Sequence, residues 1–371
     1  MENNNELTSS QTAPAERAGK PQSTTRNIII HRQASEIKMK EINWLWPNRI
    51  ARGKITMISG NPGLGKSQII AYMTSIVTTK GQFVDGTECN GGKVFILSAE
   101  DDAADTIVPR LKAAGADLTH TSIIDSVMKN GQIDTEPSLL FNLLTDIGAL
   151  ENLIITLGDV AAIFIDPITA YLGSIDDHKN SQVRSVLGPL AKLAEKHNIA
   201  IICISHHNKS GSPEALLRVI GSIGFVAAAR AAYAVIKDPS DESKRFFLPL
   251  KNNIGNDKTG LKFSIESHPL DNNINTSRIV WSDEVINTTA DEILQLQNNP
   301  VRKTARNDAK KFLSELLTKG PVKASDIIKA AENRGYSIRT IERAKEELDI
   351  ISKKDGTNGE WSWHMPVSAV N

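Results

Sequence analysis

The stretch "MISGNPGLGKSQII", residues 57–70, decides how the chain is read. Three glycines, a proline and one lysine stand between two apolar runs. Glycine and proline interrupt regular structure, so the spacing predicts a tight loop joining a buried strand to a helix. Gly60, Asn61, Pro62, Gly63, Leu64, Gly65, Lys66 and Ser67 follow the order Gly-x-x-x-x-Gly-Lys-Ser, the pattern of a loop that cradles phosphates. Its glycines let backbone N–H groups approach an anion closely, and the amino end of the next helix adds positive dipole. With Gln68, these residues form the candidate binding set for ATP. Lys66 would reach the β- and γ-phosphates, and the Ser67 hydroxyl would hold Mg²⁺.

The pattern continues on both sides. "INWLWPNRIARGKITMIS" reads as a short hairpin feeding a buried strand at 55–59, followed by a helix at 65–79. "GGKVFILSAEDD" gives a strand at 94–99 that ends in acids, then a helix at 103–114. "TSIIDSV" is a short strand, and 137–157 has helical apolar spacing. "AAIFIDPITAY" holds a third buried strand at 162–166. "SQVRSVLGPLAKLAEKHN" is an amphipathic helix, and "IAIICISHHNK" a fourth buried strand. Wholly apolar strands alternating with helices predict an α/β fold with a mostly parallel sheet covered on both faces. After Gly221 the strand-like pieces "AAYAVIKD", "RFFLPLKNN", "LKFSIE" and "RIVWS" are joined by short polar turns. They fit antiparallel additions at one end of that sheet.

The sequence divides into a polar tail at 1–27, expected to be disordered, an α/β domain at 28–290, a polar linker at 291–306 and a small unit at 307–371. The 43 basic residues balance the 43 acidic ones, so net charge gives no indication of nucleic acid. The two cysteines, Cys89 and Cys203, form no metal-ligand cluster and no disulfide framework. The opening "MENNNELTSS" lacks the basic and apolar regions of a secretory signal, and no apolar run approaches membrane-spanning length. The expectation is a cytoplasmic protein with no membrane association.

Hydrolysis of a triphosphate needs a metal-holding acid and a group that polarises water. Asp166 ends the apolar run "AIFID" and is the candidate metal partner of Ser67. Glu100 ends the strand after the phosphate-loop helix, and strand ends on one edge of a parallel sheet converge on one crevice. Glu100 is therefore the candidate to orient the attacking water, with Asp101 and Asp102 as competitors.

Here the residues carry a resemblance. An acid after the second strand, not beside Asp166, resembles the RecA-like branch of P-loop NTPases. Ser205-His206-His207-Asn208-Lys209 is similar to the Ser-Gln-x-Asn-[Arg/Lys] segment of replicative hexameric helicases, with His replacing Gln. "WLWPNRIARGKITMISGNPGLGKS", "LSAEDD" and "LGPLAKLAEKHNIAI" resemble RepA-type helicases and related ATPases of plasmids, phages and mobile elements. The resemblance spans 42–281. It implies a RecA-like P-loop ATPase that assembles as a homo-oligomer, a ring or a filament with a hexameric ring favoured, and with DNA and replication proteins as partners. His206 would sense the γ-phosphate, and the segment "KSGSPEALL" at 209–217, with Lys209 and Arg218, would face DNA in the channel. Such rings complete each site with a cation from the neighbour, for which Arg218, Arg230 and Lys251 are candidates. Lys251 lies in "LPLKNNIG", where the family places an arginine two residues later; here that position is Asn253.

The segment 307–371 reads as three helices and a β-hairpin, a winged helix-turn-helix. Ser325 and Ser337 are the expected N-caps of its second and third helices. The third helix carries Arg339, Arg343 and Lys345, and the hairpin Lys353 and Lys354. From 300 to 371 there are 14 Lys/Arg against 10 Asp/Glu, a net of +4. Contact with DNA or docking to protein both fit. Trp361 and Trp363, alternating on one strand, are expected in the core. The leading function is an ATP-driven DNA motor, a helicase or DNA-dependent ATPase. Two alternatives stay open: a RecA/RadA-like recombination or repair ATPase, and an ATP-switched DNA-binding regulator.

Overall fold

A computed structural model describes residue 29 and residues 31–127, 141–176, 179–206, 223–255, 257–298, 300–318, 320–354 and 360–366. The chain forms two compact units, Met1–Glu41 and Ile42–Asn371. The described part of the first holds one 3-10 turn, Ala34–Glu36.

The second unit opens with a hairpin of β1 (Trp44–Trp46) and β2 (Ile50–Ala51), then enters the central sheet at β3 (Ile55–Gly60). Helix α1 (Lys66–Thr79), β4 (Lys93–Ser98), α2 (Val108–Ala114), β5 (Thr121–Ile123), α3 (Ile147–Leu157), β6 (Val160–Asp166), α4 (Asn180–His197) and β7 (Ala200–His206) follow. Next come α5 (Ile223–Ala228), β8 (Ala231–Lys237), β9 (Lys244–Asn252), β10 (Leu261–Pro269) and β11 (Asn275–Trp281). The nine strands are ordered β11-β10-β9-β8-β3-β7-β6-β4-β5. From β8 to β5 every neighbouring pair is parallel; β9, β10 and β11 add antiparallel. The fold is RecA-like, a mostly parallel sheet between helices.

The continuous apolar runs are explained by two covered faces. Alternate strand residues point to opposite sides. Ile55, Met57, Ile163, Ile165, Ile201 and Cys203 pack with Leu150, Val186 and Leu190 from α3 and α4. Ile58, Ala162, Phe164, Ile202 and Ile204 pack with Ile69, Met73 and Leu111 from α1 and α2. The register brings the strand ends level: Gly60 lies opposite His206, and Ser98 opposite Asp166. The β10–β11 ribbon curls over the α1 and α2 side, where Phe263 and Trp281 close the second core.

Several expectations need correction. The helix expected from 137 begins at Ile147; residues 128–140 lie outside the described residues. Before it, Asn142 and Asp146 close a turn: the Asn142 N–H donates to Asp146 Oδ2 at 2.9 Å, and the Leu144 N–H to Asn142 Oδ1 at 2.8 Å. Short polar side chains thus take backbone donors that a helix would need. The stretch 291–306, read as a linker, is helical. It belongs to α6 (Ala290–Asn298) and α7 (Pro300–Leu317), and Ile293 and Leu294 of α6 are buried in the first core. Ala290, Ile293 and Leu294 anchor a helix in which polar residues are the majority, so composition concealed it.

Beyond α7 lie β12 (Val322–Lys323), α8 (Ala324–Asn333), α9 (Ile338–Glu347), β13 (Ile351–Lys354) and β14 (Trp361–His364). The strands form an antiparallel sheet ordered β12-β14-β13, and Phe312, Leu313, Ile327, Ile341 and Trp363 form a separate core. The Ser337 hydroxyl caps α9 by accepting from the Thr340 N–H at 3.2 Å. Ser325 does not cap α8, because the helix already begins at Ala324, after β12. Trp363 is buried but Trp361 is 54% exposed. Two residues of strand, about 7 Å, carry Trp361 past the helices toward the hairpin turn.

Replacing the fully buried Phe164 by alanine removes a large side chain from a face with no room to relax. It should cost about 3–5 kcal/mol of stability, read as a lower urea midpoint with an unchanged slope.

Candidate functional site

Gly60, at the end of β3, lies against β8 so closely that a Cβ there would meet the Val235 carbonyl oxygen at 2.7 Å. Gly65 has φ +91° and is the N-cap residue of α1; a Cβ there would meet Ile265 Cδ1 of β10 at 2.6 Å. The loop is therefore a backbone cradle in which side chains are excluded at both ends. The cleft above it is lined by Pro62, Gly63, Gly65, Lys66, Ser67 and Gln68, facing Glu100, Asp166 and His206. Leu64 turns away and packs against the second core. Gln68 donates from Nε2 to the Ser277 hydroxyl of β11 at 2.8 Å.

Lys66 is 5% exposed. Its ammonium donates to the carbonyls of Gly60 at 2.9 Å and Asn61 at 3.0 Å. Burial lowers its pKa, while the charges of Asp166 and Glu100 work in the opposite direction. Asp166, at the end of β6, is also 5% exposed. Burial raises its pKa, against the hydrogen bond from Ser67 and the charge of Lys66. Ser67 Oγ donates to Asp166 Oδ2 at 2.6 Å. A hydroxyl and a carboxylate oxygen side by side are the hard oxygen donors that Mg²⁺ takes. A buried carboxylate beside a phosphate cradle fits that cation.

The three consecutive acids are sorted by their partners. Asp102 caps the turn that follows, accepting from the N–H groups of Ala104 and Asp105. Asp101 is paired with Arg110 of α2 at 2.5 Å. Glu100 remains directed at the cleft, where it meets His206 Nε2 at 3.0 and 3.2 Å. The other ring nitrogen, Nδ1, lies 3.4 Å from Lys66 Nζ. An ammonium only donates, so Nδ1 accepts and the Nε2 proton points to Glu100. Lys66, His206 and Glu100 thus form one directed chain from the start of α1 through the end of β7 to the segment that follows β4.

A family model described as AAA domain matches residues 24–212, just over half of the chain. The chain belongs to the AAA domain family. It is similar to DNA repair protein RadA of Halalkalibacterium halodurans, 21% identical over 71% of this chain and 50% of the relative. RadA of Streptococcus pyogenes serotype M3 is 22% identical over 72% and 51%, and RadA of Chlamydia trachomatis serovar D 23% identical over 77% and 58%. The chain spans about half the length of the curated relatives it matches. A crystal structure of the RadB recombinase covers 61% of this chain and 91% of its own at 15% identity and a TM-score of 0.41.

Within this AAA domain, Gly60, Lys66, Ser67, Glu100, Asp166 and His206 meet at the carboxyl edge of the sheet. Arg230 and Lys251 do not join them. The Arg230 N–H donates to the Ile55 carbonyl at the start of β3. That is the opposite sheet edge, roughly 17 Å from Gly60 at ~3.3 Å per residue. Lys251 Nζ donates to the Ala229 carbonyl at 2.9 Å beside it. Neither serves the site of its own chain. His207, Asn208, Lys209 and Arg218 lie outside the described residues.

Sequence reasoning missed Arg110, Ile265 and Ser277. Arg110 was legible as one of two cations, with Lys112, in the helix following the acids. Ile265 and Ser277 left no local signal, since they arrive from strands two hundred residues away by the curl of the sheet.

The raised pKa of Asp166 has a definite sign for stability. In the nucleotide-free protein its contribution is full below the ordinary aspartate range and is lost as pH rises through the raised value. Asp166→Asn should therefore melt a few degrees above wild type at pH 7.5 without nucleotide or Mg²⁺. The gap should close near pH 4; a variant that melts lower at pH 7.5 contradicts the assignment.

Proposed function

We propose that the chain is an Mg²⁺-dependent ATPase that acts on DNA in the manner of a recombination or repair protein. The observation that carries this reading is the meeting of Lys66, Ser67, Asp166, Glu100 and His206 at one edge of the sheet. The residues from Gly60 to Gln68 would hold the phosphates, with Ser67 and Asp166 at the metal. The metal, when bound, supplies charge neutralisation at the phosphates. Glu100 orients a water and accepts its proton, and His206 steadies the Glu100 carboxylate. Because β7 ends at His206, a change in this contact is passed to the segment that follows it.

The repair reading is supported by relatives named DNA repair protein RadA that match over 71–77% of the chain. The replicative helicase reading is supported by the Ser205 to Lys209 segment and its neighbouring motifs. Arg230 and Lys251 support homo-oligomerisation, as a ring or filament, since only a neighbouring copy could use them at a phosphate. A cation acting this way contributes ~10³–10⁵ in rate. The unit from α7 to β14 is proposed as a winged helix that contacts DNA through α9 and the β13–β14 hairpin. No helix among the described residues is long and apolar enough to cross a membrane, and a cytoplasmic location is proposed together with the DNA substrate.

Lys66→Ala and Glu100→Gln should each lower ATP turnover by at least ~10²-fold, the scale of a lost general base. Turnover surviving both substitutions refutes the site. Mixing Arg230→Ala or Lys251→Ala subunits with Lys66→Ala subunits should restore part of the activity if sites are shared between copies. On a forked duplex, DNA-stimulated hydrolysis without strand displacement is the outcome expected of a repair ATPase; ATP-driven displacement would restore the helicase reading.

A further inference from the structure

The two arginines of α9 are already occupied. Arg339 Nη2 donates to Glu292 Oε1 at 3.0 Å, and Arg343 Nη2 donates to the same oxygen. Glu292 belongs to α6, whose Ile293 and Leu294 are buried in the core of the ATPase sheet. The contact therefore joins the C-terminal helices to the ATPase body. The carboxylate is held from both sides. Glu292 and Thr289 form a capping box: Oε2 accepts from the Thr289 N–H at 3.3 Å, and the Glu292 N–H donates to Thr289 Oγ1 at 3.3 Å. One oxygen caps the helix, which leaves the other fixed in space for the arginines.

We propose that Glu292 stands in for a DNA phosphate, and that duplex DNA and the docked C-terminal unit compete for Arg339 and Arg343. Guanidinium groups converging on one anionic oxygen have the geometry used for phosphate as well as for carboxylate. The proposal rests on the reading of α9 as a DNA-contacting helix. What it adds is that this face is covered by the chain's own body when DNA is absent.

The charges favour exchange. The groove between α9 and the segment before α6 is lined by Glu284, Glu346 and Asp349 as well as Glu292 and Arg343. Carboxylates thus stand on both banks, and like charges weaken the closed state. The Arg339 side chain is 75% exposed and that of Arg343 29%, so a phosphate can reach the pair from outside. The pair made by the exposed Arg339 is weak and screened by salt, and the half-buried Arg343 pair is screened less. A duplex offers a row of phosphates and releases counterions on binding. Lys353 and Lys354 are exposed on β13, where further phosphates could be met.

The test uses the full chain and a short labelled duplex at low salt. Glu292→Gln keeps an acceptor for the capping box and removes the charge. It should bind duplex roughly fivefold tighter than wild type, the scale of an exposed ion pair, with DNA-free ATP turnover unchanged. Adding Arg339→Ala and Arg343→Ala should abolish the gain and weaken binding below wild type. If the arginine substitutions weaken binding but Glu292→Gln gives no gain, the DNA reading of α9 stands and the competition is overturned. If the arginine substitutions change nothing in either background, the DNA reading of α9 falls and takes the proposal with it. A measurement on the unsubstituted protein is independent of how the variants fold. Saturating duplex should slow hydrogen exchange in α9 and speed it in the first turn of α6. Slower exchange in both would mean that DNA does not displace Glu292, and would overturn the proposal.

Discussion

A lysine ammonium and an aspartate carboxylate are buried together at the carboxyl edge of the sheet, and the rest of the site follows from that fact. Neither Lys66 nor Asp166 could be taken from water alone, because an isolated buried charge costs several kcal/mol. Each offsets part of the other's desolvation, Ser67 bridges toward the carboxylate, and two loop carbonyls take up the ammonium. The balance is incomplete on both sides: burial still lowers the pKa of the lysine and raises that of the aspartate. A polyanion with its divalent cation would correct both deficits. The cleft is therefore strained toward its ligand by electrostatics, not by backbone distortion.

The parallel sheet provides the alignment. Strands β3, β6 and β7 end close to one level, so Gly60, Asp166 and His206, far apart in the chain, face one space. His206 touches Lys66 with one ring nitrogen and Glu100 with the other. The opposite edge of the sheet carries Arg230 and Lys251, beyond reach of the same cleft.

Much of this was legible in the sequence because the signals were local. The loop from Gly60 to Ser67 combines glycine geometry with a lysine and a hydroxyl at fixed spacing. Glu100 and Asp166 each end an apolar run, and strand ends on a parallel sheet converge by topology. What was not legible was non-local or ambiguous in composition. The pairing of Asp101 with Arg110, which separates Asp101 from Glu100, depends on how α2 packs. The helix at Ala290–Asn298 hides behind polar residues because three buried apolar residues, Ala290, Ile293 and Leu294, suffice to anchor it. Trp361 follows the alternation of β14 but runs beyond the helices that bury Trp363. The reading of 42–281 as a replicative helicase drew on motif resemblance, whereas the relatives found across most of the chain carry the name of a repair protein.

The curl of β10 and β11 over α1 has a consequence for biosynthesis. The cradle at 60–67 is made early by the ribosome, but Ile265, which closes on Gly65, and Ser277, which receives Gln68, are made some two hundred residues later. A nascent chain that has only reached β7 holds the phosphate loop without its flank. The flank of the cleft is therefore completed only when translation has passed Trp281.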